Sequence, residues 1–182
     1  LGLSYMQVAT LLSIRQVGGG LVSLGGGGLV DTLKSQWGLI LTGCMAGSAL
    51  AYAFVGGSIN FPLLVMAVIL VSVPGALWHL PAAAALSQRF PDRRGFAIAM
   101  HGFGSNIGNV LGPLMAGALL TILFWRHVLF IYAVPSLILA GLVWWSLKDV
   151  GKEGDQEESV RFSDQFRTGF RLLRNPIVLG LI

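Results

Sequence analysis

The sequence predicts an all-α fold, a polytopic transmembrane helix bundle, on three observations. Hydrophobic residues make up 54% of the 182 and charged residues only 11%, where a soluble domain carries about 25% charged residues. The apolar residues gather in five long runs, the pattern of helices that cross a bilayer. The cations gather on alternate connections between those runs. A single cysteine, Cys44, excludes an internal disulfide framework and a cysteine-rich metal site.

The first run, 3–28, is interrupted only by Arg15 and Gln16. The second, 37–57, contains no charge. The third, 61–86, is broken by His79, and the fourth, 96–125, holds His101. The fifth is 128–147, and a sixth begins at 176 and is cut off at 182. At about 1.5 Å per residue, a helix needs about 20 residues to cross about 30 Å of hydrocarbon, and each of the five reaches that length.

The connections 31–36, 87–94 and 148–175 alternate with 58–60 and 126–127. The first set carries Lys34, Arg89, Arg93, Arg94, Lys148, Lys152, Arg161, Arg167, Arg171 and Arg174, whereas the second carries Arg126 alone. Loops rich in Lys and Arg stay in the cytoplasm. Residues 1–147 are therefore expected to form five transmembrane helices, the first running inward. Residues 148–175 form a cytoplasmic linker and 176–182 the start of a further span, in a bacterial inner membrane. Opening on Leu1 and stopping within an apolar run, the chain reads as an internal piece of a larger polytopic protein.

The linker holds six of the eight acidic residues. Its first part, KDVGKEGDQEES, reads as solvated chain. In its second part Phe162, Phe166, Phe170 and Leu173 recur at helical spacing beside Arg161, Arg167, Arg171 and Arg174. That is an amphipathic basic helix for the inner membrane surface, or else for a partner protein.

In the fourth run Gly104, Gly108 and Gly112 stand four apart and are followed by Pro113 and Gly117. Small residues at that spacing let another helix backbone approach closely, and Pro113 removes one helix hydrogen bond. Gly102, Gly104 and Gly108 also imitate a nucleotide-binding glycine pattern. No strand precedes them and the surroundings are a membrane helix, so the nucleotide reading fails; no cofactor and no nucleic-acid partner are expected.

The string GNVLGPLMAG, Gly108 to Gly117, resembles the fifth-helix signature of the major facilitator superfamily, with Ala116 at the first glycine of its closing pair. GGLVD, Gly27 to Asp31, resembles the start of that family's loop between helices two and three. WRHVLFIYAVP is similar to its start of helix six, and RLLRNP to its approach to helix seven. The resemblance covers essentially the whole chain, as helices two to six plus the central loop and the start of seven. Within the family, WHLPAAAALSQRFPDRRGFAIAMHGFGSNIGNVLGP is most similar to the fosmidomycin-resistance-like efflux branch.

This resemblance implies a secondary active transporter that moves a small molecule by alternating access, exporting it against an ion gradient with the proton as coupling ion. It implies that Gly27, Asp31 and Lys34 gate the cytoplasmic side. Gly104, Gly108, Gly112, Pro113 and Gly117 would let helices close or slide on the outer side. Two departures weaken drug/proton antiport. The loop continues as Thr32, Leu33, Lys34, Ser35 and Gln36 where the family has arginine, glycine and more basic residues. Aligned on Gly75, Val71 stands where many proton antiporters carry arginine.

The candidate substrate-binding residues are Arg15, Gln16, Trp78, His79, His101, Asn106 and Asn109. Arg15 lies about 24 Å by helical rise from Asp31 and about 18 Å from Leu3, too deep to reach water easily from either side. A guanidinium at that depth is costly unless it is paired or faces water. It either receives an anionic substrate group or pairs with a carboxylate or carbonyl on another helix. His79 and His101 are expected at similar depths on neighbouring spans, where two imidazoles can carry a proton near neutral pH. The plainer alternative is that each bonds a main-chain carbonyl, some of them freed by Pro81. Asn106 and Asn109 share a face and suit interhelical hydrogen bonds. Trp78 either stacks on substrate or packs, while Trp37, Trp125, Trp144 and Trp145 read as interfacial anchors.

None of the eight acidic residues falls within a predicted span. A membrane-embedded enzyme needs a dense catalytic set, which two separated histidines without a carboxylate do not supply. No catalytic and no metal-ligating residues are therefore expected. A non-transporting scaffold or sensor is disfavoured by an arginine facing a cavity. Among transporters, uptake of an organic anion is the alternative that Arg15 favours, against the export that the Gly-Pro motif favours.

Overall fold

The computed structural model describes residues 2–150, and among them there are five long helices and no strand. They are α1 (Tyr5–Thr32), α2 (Trp37–Gly57), α3 (Phe61–Arg89), α4 (Arg94–Leu120) and α5 (Trp125–Leu147), with 3-10 turns at Lys34–Gln36 and Pro91–Arg93. The expected amphipathic helix in 161–174 and the start of a span at 176 lie outside the described residues.

Local chemistry sets the helix ends. Ser4 caps α1: its hydroxyl accepts from the Gln7 amide (3.3 Å) while the Gln7 side chain accepts from the Ser4 amide (2.9 Å). This reciprocal box satisfies two amides that the helix cannot. Asn60 does the same for α3, its side chain accepting from the Leu63 amide at 2.9 Å, with Pro62 in the first turn where no amide is needed. At the other end of α3, Pro91 follows directly on Phe90 and stops the helix. Between α1 and α2, the Trp37 indole N–H donates to the Val30 carbonyl at 2.7 Å in a buried bond, which fixes the hairpin at its turn.

α2 is the centre of the packing, against α3 on one side and α5 on the other, and α1 packs on α3. Close approach depends on small residues. A Cβ on Gly18 of α1 would lie 2.7 Å from the Ser72 hydroxyl of α3, and one on Gly26 would lie 2.9 Å from Leu80. Gly38 near the start of α2 meets the Leu147 carbonyl at the end of α5, and Gly56 at the end of α2 meets Arg126 at the start of α5. These pairings make α1 and α3 parallel and α2 and α5 antiparallel. α4 touches α3 and α5 and has no buried residue. Large apolar side chains such as Leu12, Phe54, Leu114 and Trp145 stand on the outside, the surface that lipid and further protein cover.

One expectation needs correction. The break between the fourth and fifth helices falls at 121–124, not at 126–127, because Trp125, Arg126 and His127 open α5. The helix can start early since the Arg126 charge is accommodated there: its Nη1 donates to the Gly56 carbonyl at 2.7 Å, and its guanidinium lies 4.7 Å from the Trp125 ring centre. By length and composition, four of the five helices (α1, α2 with its preceding turn, α3 and α5) are apolar enough to cross a membrane. α4 has the length, at 27 residues, but His101, Ser105, Asn106, Asn109 and its glycines dilute its apolar character. Such a helix suits a protein-lined or wet environment better than lipid.

Candidate functional site

Where α3 and α4 meet, Nδ1 of His79 and Nε2 of His101 stand 3.1 Å apart. The rings are edge to face, with centres 5.4 Å apart and planes at 72°. α3 places His79 two residues before the buried Pro81, and the short turn at Pro91–Arg93 folds α4 back so that His101 arrives at the same height. The imidazoles thus bond each other, not main-chain carbonyls. One ring donates an N–H and the other accepts, so the pair can take up one further proton and keep the bond in charge-assisted form. A second extra proton leaves two donors facing each other and breaks it. Trp78, next to His79 in the chain, is half-buried.

Arg15 is not part of this cluster. Gly18 is level with Ser72 and Gly26 with Leu80 on the parallel helices, so Arg15 is level with Ile69. That puts it about 15 Å along the bundle from His79. Arg15 and Gln16 are exposed, and Arg15 makes no hydrogen bond or ion pair among the described residues. Asn106 and Asn109 are also exposed; they continue along α4 away from His101 toward the depth of Arg15. The candidate residues therefore divide into a histidine level and an arginine–asparagine level.

Of the gating candidates, Gly27 and Asp31 occupy the last turns of α1 and Lys34 begins the turn that follows. Asp31 is half-buried at the negatively polarised end of its helix, a placement that the helix dipole disfavours. Along α4, a Cβ at Gly104, Gly108, Gly112 or Gly117 would have no described neighbour within 4 Å. The stripe is open among the described residues, and the small residues that do admit a neighbouring helix are Gly18, Gly26, Gly38 and Gly56. One residue before Pro113, the Gly112 carbonyl accepts from the Tyr132 hydroxyl at 2.7 Å.

A model of the Major Facilitator Superfamily matches residues 1–182, the full length of the chain. The chain belongs to this superfamily. Neither the curated proteins nor the solved structures hold a match to it. Membership makes the helical bundle that of a membrane transporter, one that carries small molecules in a lipid bilayer.

Beside the histidines lies a groove of about 430 Å³ lined by Leu86, Phe90, Arg93, Phe96, Ala97, Met100 and His101. Only His101 is identifiable from the sequence as a site residue. Arg93 reads there simply as one of the cytoplasmic cations. The signal for the rest is the spacing of Phe96, Ala97, Met100 and His101, which puts one imidazole in line with an apolar stripe on a single helix face.

Proposed function

We propose that this superfamily member is a proton-coupled exporter of a small organic molecule, working by alternating access in a bacterial inner membrane with the linker 148–175 in the cytoplasm. The coupling proton is carried by the His79–His101 pair. The observation that supports this most is the 3.1 Å contact between the two rings, on helices whose interiors hold no carboxylate. Imidazole is the side chain that changes charge near neutral pH, and a shared N–H···N bond between two helices ties that charge to their relative position. Binding a proton and moving α4 against α3 then become one event, which is what coupled transport requires. Asp31 and Lys34 hold the cytoplasmic side in one state, and the open Gly104–Gly117 stripe closes against another helix in the other.

The test uses everted membrane vesicles containing the full-length protein, with a respiration-driven pH gradient followed by an acridine dye. Export predicts that some compounds in a chemically varied panel dissipate the gradient, and that His101→Gln abolishes the response. A response that survives in both His79→Gln and His101→Gln rejects the pair as the proton site. The second reading, uptake of an organic anion with a co-transported proton, is favoured by Arg15, exposed and without a described partner at mid-helix. It predicts proton movement in the same direction as the compound.

A further inference from the structure

Four polar side chains at mid-helix have no hydrogen bond among the described residues: Arg15 and Gln16 on α1, and Asn106 and Asn109 on α4, all of them exposed. Contacts between helices bring Arg15 and Asn109 to one depth. Gly18 meets Ser72 and Gly26 meets Leu80 on the parallel helices, so Arg15 is level with Ile69 of α3. His101 bonds His79 on the antiparallel pair, so Asn109, eight residues on, is level with Val71. The difference in height is about 3 Å. A second route agrees. Gly56 with Arg126, Gly38 with Leu147 and Gly47 with Pro74 set α5 on α2 and α2 on α3. They put Tyr132, which bonds the Gly112 carbonyl, level with residues 68–71 of α3, where the histidine contact also puts Gly112.

Direction agrees with depth. Arg15 shares one face of α1 with Gly18 and Gly26, the face turned to α3. His79 and Leu80, which meet α4 and α1, are consecutive in α3, so those two helices leave it about 100° apart. Right-handed winding then turns Asn109, about 80° round α4 from His101, to the side where α1 stands. Arg15 and Asn109 thus border one angle with α3 at its corner. The carboxylate of Asp31 is about 24 Å away along α1. A guanidinium and two amides at that depth are costly without water or a partner.

We infer that this angle receives the anionic end of the substrate, a small organic carboxylate, on Arg15, with the Asn109 amide donating a further hydrogen bond. The word substrate rests on the transporter reading and holds for export and uptake alike, while the anion binding is measurable without transport. Guanidinium pairs with a carboxylate through two parallel N–H···O bonds. A phospholipid is the poorer occupant, since its phosphate stays at the membrane surface, about 15 Å from the midplane. The His79–His101 pair, about 15 Å toward the cytoplasm, is left to hold the proton.

The probes are two thiol reagents of opposite charge, 2-sulfonatoethyl and 2-(trimethylammonio)ethyl methanethiosulfonate. They are applied to Asn109→Cys in full-length protein whose native cysteines, Cys44 included, are replaced by serine. Phosphatidylcholine nanodiscs leave both membrane faces open, and rates are taken relative to those with free cysteine. The expected result favours the anionic reagent by about tenfold or more. Arg15→Gln brings the two relative rates together, and Arg15→Lys keeps the preference. At constant ionic strength, at least one of acetate, succinate and benzoate slows the anionic reagent while its amide does not, and Arg15→Gln removes that protection. Equal relative rates with Arg15 present, as a neutralising carboxylate from elsewhere in the protein would produce, overturn the inference. So does an unreactive thiol, or the absence of protection by all three carboxylates. Anion preference with protection beside an unresponsive pH gradient supports the site and rejects the proton-coupled reading alone. A gradient response without them rejects the site and leaves that reading standing.

Discussion

The Tyr132 hydroxyl donates to the Gly112 carbonyl across 2.7 Å, joining α5 to α4 one residue before Pro113. Among the described residues, it and the His79–His101 contact are the two side-chain hydrogen bonds that hold α4 to other helices. α4 buries no residue of its own, so these two bonds fix its height and rotation more than packing does. Tyr132→Phe is expected to lower the stability of the full-length protein by about 1 kcal/mol. Thermal melting in detergent reads this as a lower midpoint, and an unchanged midpoint would show that the bond contributes nothing.

Gly18 and Ser72 make a separable pair. Adding a methyl group at Gly18 places it 2.7 Å from the Ser72 Oγ, so Gly18→Ala alone forces α1 off α3. The obstructing atom is a side-chain oxygen, so Ser72→Ala removes it. The double variant Gly18→Ala/Ser72→Ala is expected to melt above Gly18→Ala alone, a non-additivity of about 0.5–3 kcal/mol. Strict additivity would contradict the close approach of α1 to α3.

Gly38 behaves differently because its obstacle is main chain. A Cβ there meets the Leu147 carbonyl and the start of residue 148, and no second substitution clears them. Gly38→Ala is expected to abolish assembly, read as loss of the monodisperse peak in detergent chromatography. Gly104→Ala has open space around it and is expected to leave that peak unchanged while slowing transport. A normal peak for Gly38→Ala would contradict the α2–α5 contact.

Orientation is testable with the single cysteine removed. In a Cys44→Ser background, Asn60→Cys is expected to react with a membrane-impermeant maleimide added outside intact cells. Asp92→Cys is expected to react only after the cells are opened. The reverse pattern would invert the assignment of the basic loops to the cytoplasm.

Much of the fold was legible because the bilayer is a simple solvent. Long apolar runs need no knowledge of tertiary contacts. The similar depth of His79 and His101 also followed from helical rise and a short turn. Their mutual bond did not, because rotation about a helix axis is set by packing that local sequence does not encode. Arg126 shows the same limit. It reads as a loop residue by charge, yet it sits within α5 because Gly56 offers a carbonyl and Trp125 a ring. Arg15 shows a related limit: its distance from Asp31 is readable by helical rise, whereas its register against α3 rests on Gly18 meeting Ser72. The groove was hidden for a further reason, since Arg93 is a topology signal in sequence and lines the groove only once Phe90 and Phe96 are placed beside it.

The most direct test of the account compares two modes of flux in proteoliposomes containing the full-length protein, using a compound that dissipates the gradient in everted vesicles. If the histidine pair carries the proton, His79→Gln and His101→Gln both abolish accumulation driven by an imposed pH gradient, and in His79→Gln equilibrium exchange of the labelled compound continues. Gradient-driven accumulation that matches the unsubstituted protein in both variants would contradict the account.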